Sequence, residues 1–248
     1  MKKPYLFILL LLWSVDCWSA GKVRLASGEW YPYLSQSLRN GGYVAQIVVE
    51  AYELEGYEVE LIYLPWARGF QKVSSGDIDG TFVYSKTPSR QKVVLFSDEI
   101  LSVPIAIFYR SNLNFNWNDV NDLQGLKIGG VLGYDYGVSK FEHDKTIVID
   151  RIENQMGNYR KLLAGRLDIL FEFPEVGESF IERLGVQDQI SMHPTPLVEK
   201  SYSLIITKKS KRSDELLSAF NRGLKKLKAK GLDKHYEKQS KQGAYEKH

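Results

Sequence analysis

Apolar positions recur along the chain at two spacings, and runs with strand spacing alternate with runs that have helical spacing. Short runs rich in Val, Ile and Leu predict β-strands: "VRLAS", "EVELIYL", "DGTFVY", "LKIGGVL", "TIVID", "LDILFEF" and "YSLIIT". Between them, "YVAQIVVEAYELEG", "WARGFQKVSSG" and "QMGNYRKLLAG" have the apolar spacing of helices, and each ends in the glycine typical of a helix end. This alternation predicts an α/β fold with mostly parallel sheets.

Two of the predicted helices have a distinct apolar face. In the first helix, five apolar residues share one side: Val44, Ile47, Val48, Ala51 and Leu54. Near the C-terminus, five more share one side of a helix that we expect to be capped by Ser213 and to stop at Gly231: Leu216, Leu217, Phe220, Leu224 and Leu227. The many lysines of this segment are therefore predicted to be its solvated face, and a patch for lipid or nucleic acid is the alternative.

Two passages, "SSGDIDGTFV" and "LAGRLDILFE", have the same construction. Each ends a helix with glycine and places an aspartate, Asp79 or Asp168, three residues later at the start of a strand. An aspartate in such a turn can accept hydrogen bonds from backbone amides. The repetition predicts two similarly built lobes, the first formed by residues 21–108 and 198–248 and the second by residues 109–197. Because the chain crosses between them twice, the lobes would enclose a cleft at a two-strand hinge.

The first twenty residues predict export. Lys2 and Lys3 precede the apolar run "YLFILLLLWSV", which small residues follow, as in a secretory signal peptide covering residues 1–20. This predicts a mature protein in the periplasm. The single cysteine, Cys17, lies in that segment, so the rest of the chain must fold without disulfides. The net charge of +3 gives no general argument for nucleic-acid binding.

The stretch "SKTPSRQKVVLFSDEI" contains one arginine, Arg90, just after a turn rich in Ser, Thr and Pro. A guanidinium is a planar fork of donors that matches a carboxylate with two parallel hydrogen bonds. Ligand clefts of α/β proteins lie beside such turns at strand ends, which favours a ligand role for Arg90. The alternative is a surface ion pair with Asp98 or Glu99.

Taken together, "EWYPY", "PWARGFQKVSSGDIDG", "SKTPSRQKVVLFSDEI", "LKIGGVLGYDYG" and the closing "LKKLKAKGLDKHYEK" resemble the family 3 extracellular solute-binding proteins of polar amino-acid uptake. The resemblance covers nearly all of the chain after residue 20 and implies the periplasmic binding protein type II fold. It also implies that Arg90 grips the α-carboxylate of a ligand and that Ser85 helps.

The same resemblance implies further ligand-binding positions. Trp30 matches a ring that packs against the ligand, although packing in the core is an equal alternative, whereas Trp66 and Phe70 are predicted to pack in the core. Tyr84, next to Ser85, is also predicted to bind ligand. The turn of Gly133, Tyr134 and Asp135 matches one that precedes a helix offering backbone amides to the carboxylate, and a purely structural turn is the alternative.

The chain departs from the family pattern at the acidic ligand partner of the second lobe. The matching position is Phe173, and Glu172 lies one residue earlier. Because side chains alternate faces along a strand, this offset matters, although Glu172 is still assigned to the site. The ligand is therefore predicted to be an amino acid, a carboxylate without the amine, a modified amino acid or a short peptide.

Three functions follow from the resemblance. The first is a monomeric receptor that captures a small carboxylate by hinge closure and presents it to an ABC-type membrane permease. The second is a dehydratase-like enzyme, with Glu29, Glu172 or Glu175 as the general acid. The third is a sensor subunit that signals to a membrane partner. No nucleophile motif, phosphate loop or metal-ligand spacing is present in the sequence, so no cofactor or metal is expected.

Overall fold

The computed structural model describes residues 21–247, so the predicted signal peptide lies outside the described residues. The strands are β1 (Gly21–Ser27), β2 (Tyr57–Tyr63), β3 (Gly80–Tyr84), β4 (Val94–Arg110), β5 (Ile128–Val131), β6 (Ile149–Ile152), β7 (Ile169–Glu172), β8 (Ile190–Met192) and β9 (Val198–Thr207). The helices are α1 (Tyr43–Glu53), α2 (Trp66–Ser75), α3 (Pro88–Val93), α4 (Ser139–His143), α5 (Gln155–Leu163), α6 (Pro174–Leu184), α7 (Ser213–Ala229) and α8 (Leu232–Lys241). Within these residues, no helix has both the length and the apolar character needed to cross a membrane.

The strands form two parallel units joined by two long antiparallel strands. The order is β2-β1-β3-β9-β4-β7-β5-β6, and β8 pairs with β4 outside this path. In the first unit β1 is parallel to β2 and β3, and in the second β5 is parallel to β6 and β7. The predicted α/β fold of two lobes with a two-strand hinge is confirmed.

The hinge is formed by β4 and β9, which run antiparallel to each other. Between Val94 and Ile105, β4 pairs with β9, and from Ala106 onward it pairs with β7 and β8 instead. One strand therefore belongs to the sheets of both lobes. The lobe boundaries expected at residues 108 and 198 stay a prediction.

The apolar faces predicted for α1 and α7 pack against each other in the core of the first lobe. In α1 the predicted residues are buried except Leu54, which follows the last turn of the helix and is 37% exposed. Gly223 of α7 lies so close to α1 that a Cβ there would be 1.7 Å from the carbonyl oxygen of Ala51. Ser213 does not cap α7, because its hydroxyl donates to the carbonyl oxygen of Thr207 at 2.5 Å.

The repeated glycine-to-aspartate passages have the same structure in both lobes. Gly76 and Gly165 adopt positive φ values of 88° and 70° after α2 and α5. Asp79 then accepts a hydrogen bond from the backbone N–H of Arg24 at 2.8 Å, and Asp168 accepts one from the backbone N–H of Lys127 at 2.8 Å. Each aspartate thus ties the start of one strand to the neighbouring strand, as the repetition predicts.

Candidate functional site

A cavity of about 420 Å³ lies where the two lobes meet the hinge. The first lobe and its helices contribute Trp30, Trp66, Ala67, Phe70, Val83, Tyr84, Ser85, Ser89, Arg90 and Val93. The second lobe contributes Leu132, Gly133, Tyr134, Asp135 and Phe173, and β9 contributes Tyr202. This volume is in the range of sites for small molecules.

Arg90 lines this cavity from α3. Its Nη1 donates hydrogen bonds to the carbonyl oxygen of Ser85 at 3.0 Å and to Ser85 Oγ at 2.9 Å. Its Cζ lies 5.1 Å from the centre of the Tyr84 ring, within cation–π distance. The predicted alternative was an ion pair with Asp98 or Glu99, but other arginines of residues 21–247 form ion pairs and Arg90 does not.

The end of β3 presents Ser85 and Tyr84 through a strained backbone. Val83 has a φ of 61°, which is rare for a β-branched residue, and the register of β3 against β9 shifts between Thr81 and Tyr84. Such a conformation costs roughly 1 to 3 kcal/mol and occurs mainly at functional sites. Burial also raises the pKa of Tyr84 to about 12, because it outweighs the Arg90 charge, which lowers that pKa.

Asp135 joins the two lobes across the cavity. Its carboxylate accepts hydrogen bonds from Lys200 Nζ at 2.7 Å, from the backbone N–H of Gly137 at 2.9 Å and from Ser85 Oγ at 3.3 Å. Burial alone would raise the pKa of Asp135, but the hydrogen bonds from Lys200 and Gly137 outweigh it, so the pKa is lowered. Asp135 is therefore an ionised group whose charge Lys200 already balances.

The turn that contains Asp135 also contains Gly133 and Tyr134, and all three line the cavity. Gly133 has a φ of 82°, which glycine adopts without strain. The next helix, α4, begins only at Ser139, and the N–H of Gly137 before it is already bonded to Asp135.

Trp30 is 6% exposed and both lines the cavity and packs in the core. Its ring centre is 4.3 Å from that of Tyr33, 4.9 Å from that of Phe173 and 5.3 Å from that of Tyr202. Its Nε1 is buried and has no hydrogen-bond partner among the described residues. Packing of Trp30 in the core is therefore confirmed, and its contact with a ligand stays a prediction.

Trp66 and Phe70 pack against the core, as expected, and they also line the cavity. The physical reason is the position of α2, which begins at Trp66 beside the end of β1. A Cβ on Gly28 would lie 2.3 Å from the Trp66 ring, and Trp66 Nε1 donates to the carbonyl oxygen of Glu29 at 3.2 Å. In the sequence, only the glycine at position 28, directly after β1, indicates that a large side chain could pack this closely.

Glu172, assigned to the site from the sequence, lies outside the cavity lining. It is 0% exposed, and its carboxylate accepts hydrogen bonds from the N–H of Phe173 at 3.0 Å and from Gln155 Nε2 at 2.8 Å. Phe173 lines the cavity in its place. This corrects the assignment, and the alternation of side chains along β7 is the reason.

The other two carboxylic acids considered for catalysis also lie outside the lining. Glu29 accepts a hydrogen bond from the N–H of Gln36 at 3.0 Å. Glu175 accepts one from the hydroxyl of Tyr33 and lies 3.6 Å from Lys241 Nζ. Among residues 21–247, no group of three His, Cys, Asp or Glu side chains is arranged to hold a metal ion.

The lining residues missed from the sequence include one aromatic and one exposed apolar side chain. Tyr202 reaches the cavity from β9, and Leu132 follows β5 and is 57% exposed. Alternation along "YSLIIT" groups Tyr202 with the buried Leu204 and Ile206, which is a signal for a core residue and not for a ligand site. Nothing in the sequence singles out Leu132.

Solved structures with the same fold include both receptors and sensors. A histidine kinase sensor domain with similarity to periplasmic binding proteins aligns with a TM-score of 0.74 at 20% identity, covering 88% of this chain and 95% of that chain. The amino acid ABC transporter substrate-binding protein AbpA from Streptococcus pneumoniae, bound to L-arginine, aligns with a TM-score of 0.72 at 21% identity, covering 92% and 97%. These identities establish the fold alone.

A third solved structure is the ancestral amino acid-binding protein AncCDT-1, a precursor of cyclohexadienyl dehydratase. It aligns with a TM-score of 0.69 at 20% identity, covering 88% of this chain and 95% of that chain. Among curated proteins, no sequence matches the chain. The family model of the bacterial extracellular solute-binding proteins, family 3, matches residues 25–241, and the chain therefore belongs to that family.

Proposed function

We propose that this protein is a periplasmic receptor that captures a small carboxylate-bearing ligand between its lobes and presents it to an ABC-type permease. The observation that carries the proposal is the guanidinium of Arg90, which lines the cavity and has no carboxylate partner among the described residues. A half-buried cation without a counterion favours an anion, and a carboxylate matches its planar donors.

Capture works by hinge closure. The ligand bonds to Arg90 and Ser85 of the first lobe and contacts Tyr134 and Phe173 of the second. Because these contacts all form only when the lobes are together, the ligand binds the closed form more tightly and shifts the hinge equilibrium towards it. A membrane partner then recognises the closed shape.

The experiment compares Arg90→Ala with Arg68→Ala by calorimetry, using the tightest carboxylate found in a thermal-shift screen. Arg68 is exposed on α2, carries no ion pair in the described part of the chain and gives the same change in charge. Arg90→Ala should weaken binding by about 2 to 5 kcal/mol, because the ligand charge loses its partner. Arg90→Lys should recover part of this loss, because an ammonium keeps the charge but not the fork. Equal affinity of Arg90→Ala and Arg68→Ala would contradict the proposal.

A sensor subunit is the second candidate, which the likeness to a histidine kinase sensor domain favours. It would bind ligand in the same way and differ only in its membrane partner. The dehydratase-like alternative has less support, because Glu29, Glu172 and Glu175 are not among the residues that line the cavity. Analysis of the bound ligand for turnover products separates this alternative from the receptor.

A further inference from the structure

The walls of the cavity are mainly aromatic. The lining includes seven aromatic residues, and most of its surface is apolar: Trp30, Trp66, Phe70, Tyr84, Tyr134, Phe173 and Tyr202. Aromatic side chains pack well against apolar or aromatic groups. They carry no formal negative charge, so only the ring faces can attract a cation. The ligand body that fits this cavity is therefore apolar or aromatic.

The charges around the cavity are unfavourable for an ammonium group. Asp135 is the only carboxylate among the described residues that line the cavity, and Arg90 is a cation in the same lining. Asp135 is paired with Lys200, whose side chain is only 12% exposed. One half-buried carboxylate, Asp135, is therefore outnumbered by two cations, Arg90 and Lys200, so the charges around the cavity favour a net negative ligand.

An amino acid would have to take Asp135 away from its partners. The carboxylate already accepts from Lys200, Gly137 and Ser85, so few of its lone pairs are unused. Displacing Lys200 would leave its ammonium desolvated without a counterion, which is more costly than keeping the pair. The other acid of this region, Glu172, is fully buried and bonded to Gln155 behind the wall.

The indole N–H of Trp30 bears on the carboxylate of the ligand and not on its amine. Its N–H is a donor only, and it lacks a partner within residues 21–247 although it is buried. A buried donor without an acceptor is costly. A ligand with acceptor oxygens would satisfy such a donor, and an amino acid and its matched acid both supply them, so Trp30 favours a carboxylate without discriminating within a pair.

We infer that the ligand is an aromatic or branched apolar carboxylate that has no α-ammonium group, an inference that rests on the proposed capture of a carboxylate by Arg90. It makes the chain differ from its solved relatives whose descriptions name amino acids. The specificity comes from three features together: the aromatic walls, the Asp135 carboxylate that is already bonded to Lys200, and the phenylalanine at position 173.

The test uses matched pairs of ligands that differ only in the α-ammonium group. These are 3-phenylpropionate with L-phenylalanine, indole-3-propionate with L-tryptophan, and 4-methylpentanoate with L-leucine, each titrated by calorimetry. In at least one pair the acid without the amine should bind at least tenfold more tightly than the amino acid. If the amino acid binds as tightly as its matched acid in every pair, or if none of the three acids binds, the inference is overturned.

Two variants identify the physical cause. Lys200→Met frees Asp135 and should improve binding of the amino acid, so that the preference for the matched acid over the amino acid falls at least fivefold. Lys86→Met removes the same charge at an exposed position and should leave this preference unchanged. If Lys200→Met does not fold, Asp135→Asn gives the second test, because it keeps the shape and removes the charge. In Asp135→Asn the affinity for the amino acid should stay within twofold, and a tenfold loss would identify Asp135 as an ammonium acceptor and overturn the inference.

The proposed function and this inference fail in different ways. If amino acids bind best and Arg90→Ala weakens them, the carboxylate receptor stands and only the ligand class is wrong. If Arg90→Ala changes no affinity, the carboxylate site itself is wrong, whatever the preference within each pair.

Discussion

Arg90 and Ser85 form one unit at the wall of the cavity, because Arg90 Nη1 donates both to Ser85 Oγ at 2.9 Å and to the Ser85 carbonyl oxygen at 3.0 Å. The hydroxyl of Ser85 also donates to Asp135 of the opposite lobe at 3.3 Å. Ser85 therefore orients the guanidinium and, through the same oxygen, links it to the second lobe.

The first prediction concerns Ser85→Ala, which removes the hydroxyl but keeps the carbonyl contact to Arg90. Because a hydrogen bond to a charged group contributes about 1.5 to 3 kcal/mol, ligand affinity should fall by no more than that amount and remain above that of Arg90→Ala. Calorimetry with the tightest matched acid measures the change. Ser89→Ala is the control, since Ser89 lines the same cavity but its hydroxyl bonds only with Thr87 at 3.0 Å. A loss as large as that of Arg90→Ala would mean that Ser85, and not the guanidinium, is the main anchor of the ligand.

The second prediction concerns the contact between α1 and α7. Gly223→Ala places a Cβ 1.7 Å from the carbonyl oxygen of Ala51, so the helices must move apart. The better helix propensity of alanine contributes up to about 1 kcal/mol, and overpacking costs about 1 to 3 kcal/mol or more. The clash should dominate at so short a distance, and urea unfolding should give a lower free energy of unfolding. Ser218→Ala, at an exposed position of α7, is the control and should be neutral. Equal stability of the two variants would contradict the close approach of the helices.

The sequence predicts the parts of this structure that depend on local patterns. Apolar spacing locates α1 and α7, and the paired glycine and aspartate passages give Asp79 and Asp168 their shared role. The neighbourhood of Arg90 and Ser85 is also local, since five residues separate them along one turn. Such features need no knowledge of how distant segments meet.

The features that remained unpredicted depend on tertiary contacts. Lys200 and Asp135 are 65 residues apart, and no local signal connects them. No separate helix is predicted over α8, because its single buried residue, Tyr236, gives it almost no apolar stripe. Glu172 was assigned to the site by its chemistry, although the alternation of β7 turns it away from the cavity. In each case the tertiary packing, which the local sequence pattern does not encode, determines the position of the residue.

The third prediction concerns the pH dependence of stability through Glu172. Burial raises the pKa of Glu172 to about 7, and the hydrogen bonds from Phe173 and Gln155 oppose this shift only in part. In the unfolded chain the carboxyl titrates near its ordinary value of 4.5. Between these two values the folded protein binds the proton and the unfolded chain does not, so the contribution of Glu172 to stability is present below pH 4.5 and is lost as pH rises through 7.

The measurement is urea unfolding of the parent protein and of Glu172→Gln from pH 5 to pH 8. Since one pKa unit corresponds to about 1.36 kcal/mol, the parent should lose roughly 2 to 3 kcal/mol more than the variant over this range. The variant is suitable because glutamine keeps the shape and a carbonyl oxygen for the N–H of Phe173. Comparing the two proteins cancels the titration of all other groups, and Glu58→Gln on the exposed face of β2 reports the effect of losing an ordinary carboxylate. A difference between parent and Glu172→Gln that stays constant with pH would mean that Glu172 is solvated in the folded protein, and it would contradict its burial behind the cavity wall.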